Sequence, residues 1–478
     1  MSIRLGMVAA AGLVAVLLML SVWPAFTVVV AVVALVAVLA WVAPAYAFVV
    51  AVLLFGIEGS LKIALLVGET PLPVSSQVVG AAAIDVAFAI AVAGLVLDAG
   101  SSGLTAVWGN FGRIGRIATV LLAAWVALSA VQILQGGDVR AGLIGFRTTQ
   151  WYAFAAVAGA LLARRFSRRE DVVTALVAAL GIVAAYGALR TIIGPSGLER
   201  THALSGHGVS ELQGHIFRGV GSFSGAVGMV SFLVPAAIFS FALALLVPGR
   251  RWLPTAILAA AVVAIAGSYV RAGLVALTAG LLVVLALSLR YAIVAKRRRA
   301  LALVVVAACL GAAVVATAVA STVSPYIQER ATGMLDPLED RAVQDRLATW
   351  RDAAEATWER PLGKGLGTVG RGTTLTGEPP VTTDNSYFKV FLEQGLPGGI
   401  LFLAAVIAAC AAAVPNVGRL SPGARSVAIG GVAAFVSFLV IAIAGEYVEQ
   451  PGKVLAWTFI GMAAAAAASP PSRSVEGQ

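Results

Sequence analysis

The sequence predicts an all-α protein, a polytopic membrane helix bundle of about fourteen transmembrane helices with a large extracytoplasmic loop containing short helices. Two observations predict this fold. Hydrophobic residues make up 60% of the 478 residues and charged residues only 12%, and the apolar residues form long continuous blocks. Ordinary globular domains are roughly 45–50% apolar and about 25% charged. A transmembrane β-barrel would need alternating apolar and polar residues, which continuous blocks exclude.

Many of the blocks approach the roughly 20 residues that a helix needs to cross a bilayer. We place spans at residues 6–22, 25–43, 45–66, 77–97, 117–136, 149–163, 172–192, 222–247, 253–268, 272–289, 300–322, 397–414, 426–445 and 454–468. The first span resembles a signal peptide, but further spans follow at once, so we expect it to be retained. Segment 45–66 is the least regular, because Glu58 and Lys62 interrupt it.

Basic residues form short clusters in alternate loops, and these clusters predict the orientation. They are Arg113, Arg116, Arg164, Arg165, Arg168, Arg169, Arg250, Arg251, Arg290, Lys296, Arg297, Arg298, Arg299, Arg419 and Arg425. The positive-inside rule makes that side cytoplasmic, together with both termini. It also accounts for the net charge of +10 without a nucleic-acid partner, and we expect none.

This orientation divides the chain into six parts. They are N-terminal transmembrane helices (1–193), a first long extracytoplasmic loop (194–221), central transmembrane helices (222–322), a large extracytoplasmic loop (323–396), C-terminal transmembrane helices (397–468) and a cytoplasmic tail (469–478).

The large loop is predicted to contain an amphipathic helix. Apolar side chains recur at steps of three and four residues at Val343, Leu347, Trp350, Ala354 and Trp358. The proline at position 361 is expected to end this helix. The tryptophans are typical of a helix at the membrane interface, and a helix that packs on the bundle is an equal alternative.

Arginines on the extracytoplasmic side are the first candidates for chemistry. Arg218 stands where the first long loop enters a span, and Arg271 lies between two spans. Arg140, Arg147 and Arg346 are predicted on the same side. A guanidinium group stays charged and binds phosphate through a planar fork, so these side chains suit a diphosphate ligand. The alternative is that each arginine snorkels or pairs with an acid in a loop.

The segment 382–399 is the most informative stretch. Asp384 and Asn385 stand at the edge of an apolar helix that carries Tyr387, and Gly395 with Gly398 is expected to break that helix. A carboxylate at such an edge could accept a proton from a hydroxyl nucleophile. Alternatively, Asp384 caps the helix that follows it.

Histidines and a glycine-rich segment offer weaker signals. His202, His207 and His215 all fall in the first long loop, but their spacing matches no zinc pattern, so we expect solvated side chains and no metal. Residues 361–368, PLGKGLGT, superficially resemble a phosphate loop, but the spacing is wrong. A tight backbone turn is the preferred interpretation, and binding of an anion by its N–H groups is a secondary hypothesis.

Four motifs, in order along residues 215–405, resemble the O-antigen ligase and O-antigen polymerase superfamily of bacterial envelope membrane proteins. "RGVGSFSG" from Arg218 resembles the family's Arg-Gly-Phe entry to a span, although Val220 replaces the Phe. "GSYVRAG" resembles its Ser-x-x-Arg-x-Gly turn, and "DRLATWRDAAEATWERPLGKGLGT" its Arg-x-x-x-Trp helix followed by Pro-Leu-x-Gly-x-Gly. "DNSYFKVFLEQGLPGG" resembles its His-Asn motif with a later Gly-x-x-Gly, but Asp384 stands where family ligases carry His.

The resemblance implies a metal-independent glycosyltransferase without a cofactor, in the bacterial cytoplasmic membrane. The donor would be a glycan on undecaprenyl diphosphate, and the acceptor a sugar hydroxyl of another lipid-linked glycan or an envelope polymer. Asp384, Arg218 and Arg271 are then the candidate catalytic residues, with one of the first-loop histidines as an alternative base. The candidate substrate-binding residues are Arg346, Trp350, Asn385, Tyr387, His215 and Arg147.

Two other classes of function fit part of the sequence. A transporter or flippase of lipid-linked glycans would explain the number of helices and the basic residues at their ends. Such proteins tend to place their sites near the bilayer midplane, however, where only Asp85, with Glu58 and Lys62, is a candidate. A scaffold protein of envelope assembly is the second alternative.

Overall fold

The computed structural model describes residues 24–67, 76–135, 138–166, 170–202, 212–213, 216–247, 252–291, 311, 341–370, 373, 381–414 and 417–468. The predicted span 6–22 and the tail 469–478 lie outside these residues. So does the predicted span 300–322, apart from residue 311.

The first half of the chain is helical. Its helices are α1 (Pro24–Val42), α2 (Pro44–Gly56), α3 (Glu58–Val67), α4 (Ser76–Asn110), α5 (Arg113–Gln135), α6 (Val139–Thr149), α7 (Ala155–Phe166), α8 (Glu170–Ile193) and α9 (Gly197–His202). A 3-10 helix, Trp151–Phe154, joins α6 to α7. Two short strands follow, β1 (Leu212–Gln213) and β2 (Ile216–Phe217), and they pair antiparallel.

The second half continues the helical pattern. Its helices are α10 (Ala226–Leu246), α11 (Trp252–Gly267), α12 (Arg271–Arg290), α13 (Arg341–Glu359), α14 (Ser386–Ala413), α15 (Pro422–Ile441) and α16 (Gly452–Ala467). Short 3-10 helices cover Val417–Arg419, Ala442–Ala444 and Tyr447–Glu449. The helix α13 ends before Pro361, as its sequence predicts.

Among the described residues, seven helices are long and apolar enough to cross a membrane. They are Val79–Asn110, Arg113–Leu134, Asp171–Ile193, Ala226–Leu246, Arg271–Arg290, Ser386–Arg419 and Pro422–Ala444. Four shorter apolar helices accompany them: Phe26–Val42, Pro44–Gly56, Trp252–Gly267 and Gly452–Ala467. An all-α membrane bundle is therefore confirmed, while the number fourteen stays a prediction.

The centre of the bundle is α10. In its most apolar stretch α10 is 89% buried, and it packs against α11, α12, α15 and α16. A helix that is hydrophobic on every side has no solvent face and belongs in the interior of a large bundle. The aromatic ring of Phe239 on α10 stacks on that of Phe459 on α16, with centroids 4.2 Å apart.

Segment 45–66, which was predicted as one span, is divided at Ile57 into α2 and α3. The break lets the chain bond to the entry of α10. The hydroxyl of Ser222 donates to the carbonyl of Gly56, and the N–H of Ser60 donates to the carbonyl of Ser222 at 3.0 Å. Two longer elements are interrupted close to predicted span ends: Gly100, with φ 60° and ψ −176°, breaks α4 just after the predicted span 77–97, and Gly395 breaks α14 just before the predicted span 397–414.

Long-range contacts define two ends of the bundle. At the outer end, the amide of Gln132 donates to the carbonyl of Gln394 at 3.2 Å. At the inner end, the hydroxyl of Tyr291 donates to the carbonyl of Val414 at 3.0 Å. Each contact joins two segments that the alternation of spans places on the same side of the membrane. We therefore use "outer end" and "inner end" for these two faces below.

A kink in α14 at Gly395 positions the outer end of that helix. Gly395 has φ 69° and ψ −173°, a conformation essentially restricted to glycine. A Cβ atom there would lie 2.3 Å from the carbonyl oxygen of Pro361, which also accepts the N–H of Leu396 at 2.8 Å. Gly395 thus interrupts the regular helix between residues 386–394 and the span that follows, where the sequence predicts a break.

We expect Gly395→Ala to destabilise the protein by about 1–3 kcal/mol, because the side chain forces both a strained backbone and a clash. The measurement is thermal unfolding of the purified protein in detergent. Gly423→Ala is the matched control, since a Cβ at Gly423 meets no atom within 4 Å. Equal unfolding temperatures for the two variants would contradict the requirement for glycine at position 395.

Candidate functional site

Arg218 is held in place at the outer end of the bundle. Its side chain is only 8% exposed, and Nε donates to the carbonyl of Ser268 at 2.9 Å. The backbone next to Arg218 contacts the same turn, because the N–H of Gly219 donates to the carbonyl of Gly267 at 3.0 Å. These bonds bring the entry of α10 against the turn that precedes Arg271.

The turn before Arg271 has an unusual backbone. Tyr269 has φ 55°, and Asp384 with φ 46° is the other non-glycine residue with positive φ in the described part of the chain. Each such residue costs on the order of 1–3 kcal/mol, and such residues cluster at functional sites. Both lie beside or at predicted catalytic residues. Arg271 itself is half-buried and begins α12.

Tyr447 connects two of the candidate arginines. The side chain is 2% exposed, and burial raises the pKa of the Tyr447 phenol to about 12, while the positive charges of Arg218 and Arg346 act to lower it. Both guanidinium groups are thus close enough to act on one phenol. Nε of Arg346 is buried and has no hydrogen-bond partner among the described residues. The outer end therefore holds a concentration of positive charge.

Trp350 on α13 contacts the Asp384 segment. Its Nε1 lies 3.4 Å from the carbonyl oxygen of Asp384, and its ring centroid lies 6.2 Å from that of Phe388. The face of α13 that packs on α14 carries Ala353, which clusters with Val369 and Leu392. Leu347 and Trp358 of the predicted apolar stripe are 47% and 72% exposed, so these two side chains do not pack on the bundle, and an interface position for them stays a prediction.

Asp384 does not cap α14. The cap is Asn385, whose Oδ1 accepts the N–H groups of Tyr387 at 2.8 Å and Phe388 at 3.2 Å. This corrects the alternative in which Asp384 serves only as a cap. Asp384 is exposed, and its carboxylate extends from a backbone that Trp350 contacts. The arrangement leaves an acid at the surface beside Trp350 of α13.

Glu446, which sequence reasoning missed, fixes the residue before Asp384. Its Oε1 accepts both the N–H of Thr383 at 2.9 Å and the hydroxyl of Thr383 at 3.2 Å. The next residue is Tyr447, which the two arginines approach. The segment between α15 and α16 therefore links the Asp384 turn to Arg218 and Arg346.

A buried charge cluster, also missed by sequence reasoning, lies beneath this turn. Lys389 is fully buried on α14, and its Nζ lies 2.7 Å from Glu393 Oε1 and 3.0 Å from Glu449 Oε1. We call Lys389, Glu393 and Glu449 the charge cluster. The spacing of four residues between Lys389 and Glu393 places them on one helical face and was the available signal.

The glycine-rich segment 361–370 wraps around the charge cluster. Glu393 Oε1 accepts the N–H groups of Gly367 at 3.0 Å and Val369 at 3.2 Å, and Lys389 Nζ donates to the carbonyl of Val369 at 2.5 Å. The segment forms a tight turn, which is the interpretation that its sequence favours. These two N–H groups bind the protein's own carboxylate, which argues against the hypothesis that they bind an external anion.

Two predicted substrate-binding residues have protein partners. Arg147 Nε donates to Asp85 Oδ2, and the hydroxyl of Tyr152 donates to Asp85 Oδ1. The Tyr387 hydroxyl donates to the carbonyl of Leu439 at 2.8 Å, towards α15. Contacts of Arg147, Tyr387 and Asn385 with a substrate stay predictions.

The first-loop histidines lie outside the description of this site. His207 and His215 fall outside the described residues, and of His202 only the backbone at the end of α9 is described. Their predicted roles as solvated side chains, or for His215 as a substrate contact, therefore stay predictions.

The pH dependence of stability offers a test of the Glu446 environment. Burial raises the pKa of Glu446 above its ordinary 4.5, while Lys389 and the bonds from Thr383 act to lower it. A raised pKa means that the folded protein binds this proton more tightly than the unfolded chain. The contribution to stability is complete below pH 4.5 and is lost as the pH rises through the raised pKa.

We therefore expect the stability of the wild type, relative to Glu446→Gln, to fall as the pH rises above 4.5. Unfolding temperatures of both proteins at a series of pH values measure this difference. Glu355→Gln on the exposed face of α13 is the control, and its difference from the wild type should not follow the same course. A constant difference for Glu446→Gln would contradict the raised pKa.

Comparison with known proteins gives one family. A search of curated proteins finds no match. Residues 256–403 match the family model described as O-antigen ligase. The matched region contains Arg271, Arg346, Trp350 and Asp384, while Arg218 and Glu446 lie outside it. Residues 256–403 are thus similar to the O-antigen ligase family, in agreement with the resemblance that the sequence motifs carry.

Proposed function

We propose that this chain is a membrane glycosyltransferase that moves a glycan from a polyprenyl diphosphate carrier to a sugar hydroxyl at the extracytoplasmic face. The observation that carries the proposal is the fixed position of Arg218, whose Nε donates to the carbonyl of Ser268 at 2.9 Å, beside the turn that begins α12 at Arg271. The family match supports a lipid-linked glycan as the donor and a polysaccharide as the acceptor.

The arginines suit the leaving group. As the bond between the sugar C1 and the phosphate oxygen breaks, its electron pair stays on the diphosphate, and negative charge grows there. Fixed guanidinium groups in a site with restricted water stabilise such charge without reorganisation. In this proposal Arg218 and Arg271 contact the diphosphate, and Arg346 offers its unpartnered Nε to the same ligand.

Asp384 suits the role of the base. It would accept the proton of the acceptor hydroxyl as the oxygen of that hydroxyl bonds to the sugar C1. The exposed carboxylate leaves room for an acceptor chain, and Glu446 acts as a positioning residue through Thr383. Trp350, Asn385, Tyr387, His215 and Arg147 remain the proposed substrate contacts around this centre.

The experiment is an assay of the purified protein with a lipid-linked glycan donor and a glycan acceptor. We expect release of the carrier diphosphate together with a lengthened or newly attached glycan. A flippase or a scaffold protein would release no carrier, so absence of release from a folded preparation that binds the donor would refute the proposal. In cells, deletion separates the two enzyme types, because loss of a polymerase shortens the polymer and loss of a ligase abolishes its attachment.

A further inference from the structure

An apolar groove at the inner end of the bundle carries a separate inference. It has a volume of about 410 Å³ and lies between α4, α5, α7, α14 and α16. Ligand-binding pockets usually measure roughly 300–1,000 Å³. Residues that line it include Leu104, Trp108, Leu122, Ala409 and Ile460.

The groove is distant from the candidate site. Ala409 on its wall and Asn385 at the outer end are separated by most of α14, about 35 Å along a helix of this length. The helices that surround it include the candidate spans Val79–Asn110 and Arg113–Leu134. The groove therefore lies between candidate spans, and the proposed function places the donor diphosphate at the other end of the bundle.

Positive charge surrounds one mouth of the groove. Phe111 and Gly115 line it, and Arg113 lies between them in the chain with an exposed side chain. Arg116 is also exposed, and its Nε donates to the carbonyl of Phe111 at 3.0 Å. On the other side, Arg164 donates to the carbonyl of Gly103, the residue before Leu104.

We propose that the groove binds an anionic glycerophospholipid, with its phosphate at Arg113 and Arg116 and an acyl chain along the apolar wall. Apolar walls alone would accept any chain or a neighbouring helix. The arginines at the mouth favour a ligand that joins a phosphate to a hydrocarbon chain. Basic pockets between transmembrane helices on the cytoplasmic side bind anionic lipid headgroups in this manner.

The test uses the full-length protein in nanodiscs of phosphatidylcholine with or without phosphatidylglycerol, and native mass spectrometry of the bound lipid. We expect one phosphatidylglycerol to be retained, with a preference of about tenfold over phosphatidylcholine. Arg113→Gln combined with Arg116→Gln should remove this preference. Arg290→Gln is the matched control, because it is an exposed arginine at the same end and should leave the preference unchanged.

A second pair of variants tests the groove itself. Ala409→Phe should obstruct it and lower phosphatidylglycerol retention about tenfold. Ile407→Phe on the same helix is the control, since Ile407 is 66% exposed and lies outside the lining. Should Ala409→Phe fail to fold, Thr119→Phe obstructs the groove from α5.

Four results would overturn the proposal. Three of them are equal retention of both lipids by the wild type, unchanged retention in the obstructed variants, and displacement of phosphatidylglycerol by inorganic phosphate alone. Displacement by a polyprenyl phosphate at equal concentration would identify an isoprenoid occupant and would also overturn it.

Discussion

Replacement of Arg218 by Ala is expected to lower kcat/KM for glycan transfer about 10²–10³-fold, the usual effect of removing one group that stabilises growing negative charge. The side chain is almost fully buried, and its Nε is fixed on the carbonyl of Ser268. A guanidinium group that is held in this way needs no reorganisation when the carrier diphosphate leaves. The measurement is the rate of carrier release by purified protein at several donor concentrations.

Two further variants separate chemistry from folding. Arg218→Lys keeps the charge but loses the planar fork, so we expect partial recovery. Arg419→Ala, at an exposed arginine of the inner end, should transfer glycan at the wild-type rate. The role of Arg218 would be refuted if Arg218→Ala, at equal protein level and unfolding temperature, retained activity within about threefold of the wild type.

Replacement of Lys389 by Met is expected to destabilise the protein by about 3–5 kcal/mol, because it removes the cation from a buried group of acids. Glu393 and Glu449 lie 2.7 and 3.0 Å from its ammonium group, and Glu393 is also fully buried. Two carboxylates would then remain without the compensating charge. Thermal or denaturant unfolding in detergent measures the loss.

The matched control is Lys364→Met, an exposed lysine in the glycine-rich segment that wraps the charge cluster, and it should leave stability nearly unchanged. A triple variant, Lys389→Met with Glu393→Gln and Glu449→Gln, removes all three charges. It should recover at least part of the lost stability, because neutral side chains lack the cost of burying unpaired ions. A triple variant that is less stable than Lys389→Met would contradict this account.

The sequence was sufficient for the helical architecture but not for the choice of contact faces. Long apolar blocks predict spans because a lipid environment leaves the backbone no other partners. The period of α13 was equally clear, yet Leu347 and Trp358 are exposed while Ala353 is buried. Periodicity gives the spacing of a stripe, but which side meets the bundle depends on the shape of α14.

The candidate site was only partly predictable for a related reason. Arg218, Arg271 and Asp384 stand out because charge at the edge of a span is costly. Tyr447 and Glu446 do not stand out, because no local sequence pattern predicts that their segment interacts with residues 218, 346 and 383. Asn385 was placed with the substrate contacts, and its structural role as a helix cap follows from backbone geometry that the spacing of motifs does not contain.

The dependence of this centre on the segment 446–449 has a consequence for biosynthesis. Arg218 leaves the ribosome more than two hundred residues before Tyr447, and Lys389 precedes Glu449 by sixty. Until α15 and α16 have inserted, the Lys389–Glu393 pair therefore lacks its second acid, Glu449, and the N–H of Thr383 lacks the carboxylate of Glu446. We therefore expect a nascent chain that is arrested ahead of α15 to be cleaved more readily by protease around residue 383 than the full chain.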